Sequence, residues 1–357
     1  MVDIKPYEEH RHREQVLNLF SDVAFKRDIW DYQFLDNPGA RARGFAPVVA
    51  EEEGSVVGFN AVVPVSILWE GRPTSAMWSC DFKVNQGLRG KGIGRLIKVE
   101  LAQRSPILMS FGISPVAAIV LERMGWQANN EVHFLRRIRE PRSFRDWALM
   151  VFQFGTKLIT RRTPPMADSI SVTKQLPAKD EIDALWNSIA KGYDKAVVRN
   201  WSYLDWRYQQ HPFASYQFIE LRDRGRTLKA LGVVREYGRQ VRLVDYLGPA
   251  KSKGIKAAVI EAILSNWPGA SSYSAMTSDL ELKQVMKAAG FYQGREQPRF
   301  FVWASPESES VAEPQQCIQG WFIMGGDSDG ELLQSARENW NEKGTNKEGG
   351  KCRLKTL

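Results

Sequence analysis

A glycine-rich turn between a β-type run and a helix constrains this chain more than any other feature. The turn lies within Asp81-Phe-Lys-Val-Asn-Gln-Gly-Leu-Arg-Gly-Lys-Gly-Ile-Gly-Arg95. Its glycines let the backbone bend and approach a ligand, so successive N–H groups can point at an anion at the helix N-terminus. Arg89 and Lys91 add positive charge. The segment therefore predicts a phosphate-binding turn, and an ordinary glycine-rich connection is the alternative.

The spacing of the turn separates it from two common phosphate-binding motifs. The P-loop ends in Gly-Lys-Ser/Thr and the dinucleotide fingerprint reads Gly-x-Gly-x-x-Gly, and this segment has neither pattern. Arg89-x-x-Gly92-x-Gly94 instead resembles the pyrophosphate loop of the GNAT superfamily. In these acyl-CoA-dependent N-acyltransferases, a Gln/Arg-x-x-Gly-x-Gly/Ala motif follows a strand. The resemblance extends over residues 1–140.

The sequence around the turn follows the order of elements of that superfamily. Hydrophobic periodicity separates helices from strands, and Gly125 is a favoured residue at a helix C-terminus. We expect helices over residues 8–35 and 114–124, and strands over 47–52, 56–68 and 107–111 and from Trp126 onward.

A fainter repeat of the same order appears later in the chain. A repeat of this length indicates two domains rather than a solenoid, and chance similarity between two α/β halves is the alternative. The matched pairs are Cys80–Ile93 with Val244–Ile255, Met124–Trp126 with Ala289–Phe291, and Trp30-x-Tyr32 and Asn37-Pro38 with Trp206-x-Tyr208 and His211-Pro212.

The sequence thus predicts an α/β fold (α+β, mixed sheet) of two tandem GNAT-like domains, each a central mixed sheet flanked by helices. A length of 357 residues suits two domains, and a hydrophobic fraction of 43% is that of a globular chain. We expect an acyl-CoA-binding domain in residues 1–140, an apolar helix and linker in 141–167, a degenerate GNAT-like domain in 168–305, and an extension with a disordered tail in 306–357.

Cysteine and histidine usage favours a cytoplasmic protein without a metal. Cys80, Cys317 and Cys352 form no Cys-x-x-Cys pair, so we expect free thiols rather than a zinc site or a disulfide framework. The histidines lack ligand spacing, and His10-Arg-His12 reads as a solvated helix start. The sequence shows no signal peptide and no bilayer-spanning apolar run, so a cytoplasmic location is expected.

The net charge of +8 suits an anionic ligand such as coenzyme A, while no basic-aromatic motif points to nucleic acid. The densest basic cluster, residues 136–145, borders an apolar segment at residues 144–160. This segment is too short to span a bilayer. A helix packed between two domains is the favoured interpretation, and peripheral membrane contact is the alternative.

The resemblance implies that acetyl-CoA or another acyl-CoA is the cosubstrate. In the superfamily, the turn holds the pyrophosphate, and a backbone N–H of the preceding strand, splayed from its neighbour, meets the thioester carbonyl. Here that N–H would come from residues 82–84. The expected cosubstrate-binding residues are Phe82, Lys83, Val84, Leu88, Arg89, Gly90, Lys91, Gly92, Ile93, Gly94 and Arg95.

Acyl transfer to an amine also needs a base for the amine and a proton for the departing thiolate. Asp81 is the candidate base, because superfamily members often place a carboxylate on this strand; a structural role in ordering the loop is the alternative. The superfamily tyrosine that serves as acid is replaced by Leu121, and by Met286 in the second half. Ser114 or a water molecule is then the candidate donor.

Two classes of function fit these residues. One is an acyltransferase that moves an acyl group from acyl-CoA to an amine of a small molecule or saccharide, and the other is a non-catalytic acyl-CoA-binding sensor or assembly protein. The intact loop argues against Fem-type aminoacyl transferases. The Trp-Arg-Tyr-x-x-His-Pro element resembles acetyltransferases associated with bacterial polysaccharides, so Trp206 and Tyr208 are expected either to stack on a sugar or to lie in the core.

Overall fold

The computed structural model describes residues 2–141, 143–159, 169–294, 298–305, 318–327 and 329–347. Two mixed sheets flanked by helices form the fold, which confirms the expected fold class. The strands are β1 Val2–Pro6, β2 Val48–Glu52, β3 Ser55–Trp69, β4 Arg72–Val84, β5 Ile107–Phe111, β6 Gln127–Asn129, β7 His133–Ile138, β8 Ser169–Thr173, β9 Lys195–Val197, β10 Tyr216–Arg222, β11 Leu228–Tyr237, β12 Gln240–Leu247, β13 Ser272–Thr277, β14 Tyr292–Gln293, β15 Phe300–Ala304 and β16 Trp321–Phe322.

The helices cover the faces of these sheets. Two of the short ones, α2 and α8, each run directly into a single turn of π-helix, at Asp31–Leu35 and Asp205–Gln209. The helices are α1 Glu9–Leu19, α2 Lys26–Trp30, α3 Pro38–Arg43, α4 Ile93–Ala102, α5 Pro115–Arg123, α6 Phe144–Ile159, α7 Lys179–Ile189, α8 Trp201–Leu204, α9 Lys253–Asn266, α10 Leu280–Ala288 and α11 Asp329–Lys347.

The first sheet carries the glycine-rich turn. Its main path runs β1-β2-β3-β4-β5-β15-β6, while β9 pairs with β3 and β16 with β9. Alternate strand residues face opposite sides of a sheet, and the two sides here have separate apolar clusters. Ile93 and Ile97 of α4 pack on one side, and Val16 and Trp30 of α1 and α2 pack on the other.

Each sheet takes a strand from the other half of the chain. The second sheet runs β14-β7-β13-β12-β11-β10-β8, so β7 leaves the first half to pair between β13 and β14. In return, β15 enters the first sheet between β5 and β6. The domain limits at residues 140 and 168 stay a prediction. Because of this exchange, residues after 168 complete the first sheet, and residues before 140 complete the second.

The two π-helical turns bind each other at the junction of the halves. The Tyr32 hydroxyl donates to the carbonyl oxygens of Trp206 at 2.8 Å and Arg207 at 3.0 Å. In return, the Trp206 indole N–H donates to the Tyr32 carbonyl at 2.9 Å. The contact joins residues 174 apart. The sequence repeat matched Trp30 with Trp206 and Tyr32 with Tyr208. In the structure, it is Tyr32 that contacts Trp206.

Of the two alternatives given for Trp206 and Tyr208, a place in the core is confirmed and stacking on a sugar is wrong. Each is only 2% exposed. The Trp206 ring lies between the rings of Tyr32 and Tyr203, and the Tyr208 hydroxyl donates to the Asp245 carboxylate at 2.8 Å. Both side chains are core residues.

The expectation of a disordered tail is wrong for residues 329–347, which form α11. Leu332 and Ala336 are buried, and Glu331 forms ion pairs with Arg235 and Arg242. These apolar and ionic contacts dock a helix whose composition alone resembles that of a solvated tail. Residues 348–357 lie outside the described part of the chain, as do Cys317 and Cys352.

We predict that the π-turn contact contributes measurably to stability. Tyr32→Phe removes the donor to the carbonyl oxygens of Trp206 and Arg207, and Trp206→Phe removes the donor to the carbonyl oxygen of Tyr32. Each change should lower the free energy of unfolding by about 1–3 kcal/mol. Urea unfolding measures this. Values within about 0.5 kcal/mol of the parent for both variants, the range of ordinary surface substitutions, would contradict the role.

Candidate active site

A gap between two strands of the first sheet lies at the centre of the site. Parallel β4 and β5 pair at Met77 with Leu108 and at Trp78 with Met109, and the described ladder between them ends there. The other edge of β4 stays paired with β3 as far as Val84. Residues 79–84 therefore present one edge of their backbone to the gap, and the binding role expected of residues 82–84 stays a prediction.

A β-bulge shapes β4 at the apex of this gap. The β3–β4 register shifts so that Asn60 opposes Phe82 and Ala61 opposes Cys80, which leaves Asp81 as the extra residue. Asp81 has a φ of 44°, in the left-handed region that aspartate tolerates better than most residues. The buried Asn60 amide stabilises the bulge by donating to the Cys80 carbonyl at 2.9 Å.

The Asp81 carboxylate is bound to a buried lysine. Lys26, only 2% exposed, donates its ammonium protons to the Asp81 carboxylate and, at 2.7 Å, to the Gln33 side-chain oxygen. The Phe34 ring lies 4.8 Å from the same ammonium. Asp81 is therefore one half of a buried ion pair, which is the structural alternative that the sequence left open beside its role as base.

A second carboxyl group, which the sequence did not single out, lies beside this ion pair. Asp329 begins α11, and removal from water, together with the smaller effect of the negative charge of Asp81, raises the pKa of its carboxyl to about 7. Asp329 is half-buried, so part of the residue remains in contact with solvent. No local motif marks it, because α11 reaches the first sheet only through the tertiary fold.

Lys98 lies on the α4 side of the same strand. Its ammonium donates to the Ser79 hydroxyl at 2.5 Å and lies 5.2 Å from the Phe82 ring and 5.3 Å from the Trp126 ring. Burial lowers the pKa of Lys98 to about 8. Since Ser79 directly follows the last β4 residue paired with β5, this ammonium lies at the apex of the gap.

The glycine-rich turn adopts the conformation that anion binding requires. Gly90 and Gly92 have φ values of 82° and 81°, and α4 begins at Ile93 directly after them. Within the described residues, the N–H groups of Gly90, Gly92 and Gly94 donate to no protein acceptor. An added Cβ at Gly94 would lie 2.8 Å from the Phe82 ring, so this glycine also permits close packing of α4 on β4.

The remaining expected cosubstrate residues divide into an exposed and a packed set. The side chains of Arg89, Lys91 and Arg95 are exposed at the turn, whereas those of Val84 and Ile93 are buried. Leu88 is partly buried. A cavity of about 590 Å³ opens beside this turn, and its lining residues include Asn18, Asp22, Asn85 and Arg89. Asp22 forms an ion pair with Lys83, which also lines the cavity.

The corresponding turn of the second half is occupied by its own side chains. Glu281 accepts a hydrogen bond from the Ser252 N–H at 3.0 Å, directly before α9 begins at Lys253. The buried Lys256 ammonium donates to the Ala250 carbonyl at 2.5 Å and to the Asp279 carboxylate at 2.6 Å. A carboxylate thus already takes a backbone donor that an anionic ligand would need.

Ser114 lies at the far side of the gap, beyond β5. Its hydroxyl oxygen accepts a hydrogen bond from the Ala117 N–H at 3.3 Å and caps α5, and its side chain is exposed. Within the described residues, no hydrogen bond joins Ser114 and Asp81, so the two expected catalytic residues do not bind each other directly. Leu121, at the position of the superfamily tyrosine, is buried in the core.

Metal binding has no support in the residues that the structure describes, which contain no cluster of three His, Cys, Asp or Glu side chains suited to an ion. Cys80, the described cysteine, is buried beside Asp81, and burial raises the pKa of its thiol.

Comparison with known proteins identifies the fold. No protein-family model matches this sequence, and no curated protein matches it. Among solved structures, the chain is similar to a probable N-acyltransferase from Enterococcus faecalis, with 11% identity, a TM-score of 0.61, and coverage of 85% of this chain and 73% of that one. It is also similar to a GCN5-related N-acetyltransferase from Anabaena variabilis, with 13% identity, a TM-score of 0.59, and coverage of 85% and 72%.

A third similar structure is the N-myristoyltransferase of Saccharomyces cerevisiae with bound myristoyl-CoA, with 12% identity, a TM-score of 0.54, and coverage of 85% of this chain and 82% of that one. The chain therefore has the GNAT fold, as the resemblance of its turn implied. Identities this low establish the fold alone. Whether the two halves are a tandem of such domains stays a prediction.

The buried ion pair at the bulge can be tested by a double-mutant cycle. Asp81→Asn leaves the Lys26 ammonium in an apolar site without its counter-charge, so we expect a loss of about 3–5 kcal/mol in the free energy of unfolding. Lys26→Met/Asp81→Asn removes both charges and should destabilise the protein less than the sum of the two single changes. Urea unfolding of all four proteins measures the coupling, and simple additivity would contradict it.

Proposed function

We propose that this protein is an acyltransferase that moves an acetyl or other acyl group from acyl-CoA to an amine of a small molecule or amino sugar. One observation carries the proposal: within the described residues, the backbone N–H groups of Gly90, Gly92 and Gly94 have no protein acceptor, and they follow the strand β4 where it has separated from β5. The fold it shares with N-acyltransferases, one of them solved with myristoyl-CoA, supports the same function.

In this proposal the cosubstrate lies along the gap with its pyrophosphate on the turn. The free N–H groups at the start of α4 and the helix dipole favour an anion, and exposed Arg89, Lys91 and Arg95 add charge. The β4 edge at residues 82–84 supplies backbone donors for the thioester carbonyl. The second turn does not compete, because Glu281 already occupies it.

Asp329 is the group that we propose takes the proton from the acceptor amine. A carboxyl with a pKa of about 7 is half ionised at neutral pH, which suits a general base. The Asp81 carboxylate is bound by Lys26 and is less available for this role. Asp81 instead acts as a positioning residue, because its charge raises the pKa of Asp329.

Lys98 is the group that we propose supplies the proton for the departing thiolate. Its pKa of about 8 lies close to the ordinary thiol value of about 8.5, so proton transfer between them is nearly balanced. Its ammonium sits at the apex of the gap, on the opposite side of β4 from Lys26. Ser114, exposed beyond β5, is the second candidate donor.

A non-catalytic acyl-CoA-binding protein is the second candidate function, and Leu121 in place of the superfamily tyrosine favours it. Thiol release from acetyl-CoA with a panel of amines separates the two functions. Amine-dependent release supports the transferase, whereas saturable CoA binding with no release under any amine supports the sensor.

Substitution of Gly92 tests the placement of the cosubstrate. Gly92→Val puts a branched side chain into a left-handed position beside the free N–H groups, so CoA affinity should fall at least about tenfold, or about 1.4 kcal/mol. Gly71→Val is the matched control, since Gly71 has a similar φ of 76° in a hairpin turn remote from the gap. Calorimetry measures both, and full affinity in a folded Gly92→Val protein would refute the placement.

The pH profile tests the proton-transfer roles. The base must be deprotonated and the acid protonated, so activity should fall below about pH 7 and above about pH 8. Asp329→Asn should lower turnover and remove the acidic limb. Lys98→Arg should lower turnover and remove the alkaline limb, because arginine stays protonated and cannot give its proton to the thiolate. An unchanged profile in either variant would eliminate that residue from catalysis.

A further inference from the structure

The helix α6 exposes an apolar face where a surface helix normally carries polar side chains. Its outer face consists of Phe144, Trp147, Val151 and Phe152, which are 87%, 55%, 51% and 60% exposed. The opposite face is buried through Gln153, whose side-chain amide donates to the Ile138 carbonyl at 2.5 Å and whose oxygen accepts from the Ile138 N–H at 3.0 Å. One face of this surface helix thus presents apolar side chains to solvent, where polar side chains are usual.

The packing of α6 explains which face remains uncovered. The helix contacts α10, β7 and β14, all elements beside the second sheet, and leaves the outer face to solvent. The helix predicted for residues 144–160 is present at Phe144–Ile159, and its packing between two domains stays a prediction. A cavity of about 630 Å³, lined by Pro141, Ser143, Phe144 and Trp147, lies at its N-terminal end. Contiguous exposed aromatic surface of this kind marks an interaction site.

The charge around α6 indicates which partner suits this face. Arg139 and Arg145 are exposed beside it, and the acidic Glu140 is already paired with Arg239 at 2.5 Å. The sequence from 136 to 162 contains seven arginines and two carboxylates. The arginines are Arg136, Arg137, Arg139, Arg142, Arg145, Arg161 and Arg162, of which Arg142, Arg161 and Arg162 lie outside the described residues.

We propose that the outer face of α6 docks on an anionic membrane surface, with the helix lying in the plane of the interface. Trp and Phe side chains partition into the boundary between headgroups and acyl chains, while arginines beside them attract anionic headgroups. Spanning is not involved, since no helix in the described part of the chain has the length and hydropathy to cross a bilayer. A second copy of the chain fits this face less well, because a two-fold interface would bring the two arginine clusters together.

Vesicle co-sedimentation of the full chain tests the proposal. The probes are vesicles of phosphatidylcholine alone and vesicles of equal parts phosphatidylcholine and phosphatidylglycerol. We expect binding to the anionic vesicles, at least about tenfold weaker binding to the neutral ones, and loss of the difference at high salt, since salt screens exposed charges. Failure to sediment with anionic vesicles would overturn the proposal.

A matched pair of double variants locates the docking face. Phe144→Ser/Trp147→Ser removes two exposed side chains one helical turn apart and should lower vesicle binding about tenfold or more. Val116→Ser/Ile119→Ser removes two on α5 with the same spacing and comparable exposure, 75% and 51%, and should leave binding unchanged. Equal binding by both variants would overturn the assignment to α6.

Analytical ultracentrifugation of the same proteins separates a membrane from a second copy as the partner. The proposal expects a monomer in the absence of vesicles. A dimer that Phe144→Ser/Trp147→Ser dissociates, with no vesicle binding by the parent chain, would replace the membrane by self-association.

Discussion

The buried ion pair of Lys26 and Asp81 holds together the parts of the candidate site. It fixes a left-handed residue at the β4 bulge, joins α2 to the sheet, and places negative charge beside Asp329. A buried ion pair adds little net stability over well-packed apolar residues, although breaking one partner is costly. We therefore attribute the pair to positioning rather than stabilisation, because the bulge it secures lies where β4 leaves β5.

The second half has a corresponding ionic cluster centred on Arg199, in which Oδ1 of Asp327 has no hydrogen-bond partner among the described residues. Asp245 accepts from Arg199 at 2.9 Å and from the Tyr208 hydroxyl at 2.8 Å, and Arg199 also binds Asp327 at 2.6 Å. Its turn before α9 is filled in the same way by Glu281. In the first half, by contrast, the N–H groups of Gly90, Gly92 and Gly94 in the turn have no protein acceptor among the described residues. This difference between the two turns is the physical reason for placing ligand binding in the first half.

The sequence predicted the parts of the site whose chemistry is local. Gly90 and Gly92 predict a turn with positive φ at both positions, and the apolar run at residues 107–111 predicts the strand found there. Asp329 and Lys98 could not be found in this way, because their pKa shifts arise from neighbours distant in sequence. The docking of α11 was missed for the same reason: Glu331 looks like a solvated charge until Arg235 and Arg242 are brought to it.

The exchange of strands gives the two halves a shared core rather than a hinge. Removal of β15 would expose hydrogen-bonding edges on both β5 and β6, and removal of β7 would do the same to β13 and β14. The reciprocal bonds of Tyr32 and Trp206 tie the halves at a further point. Because the halves cannot move apart without breaking both sheets, the separation between Asp329, carried by the second half, and the gap in the first sheet is set by the fold. An acceptor must then fit a preformed space, so its size and shape, rather than a closing motion, would govern selectivity in the proposed reaction.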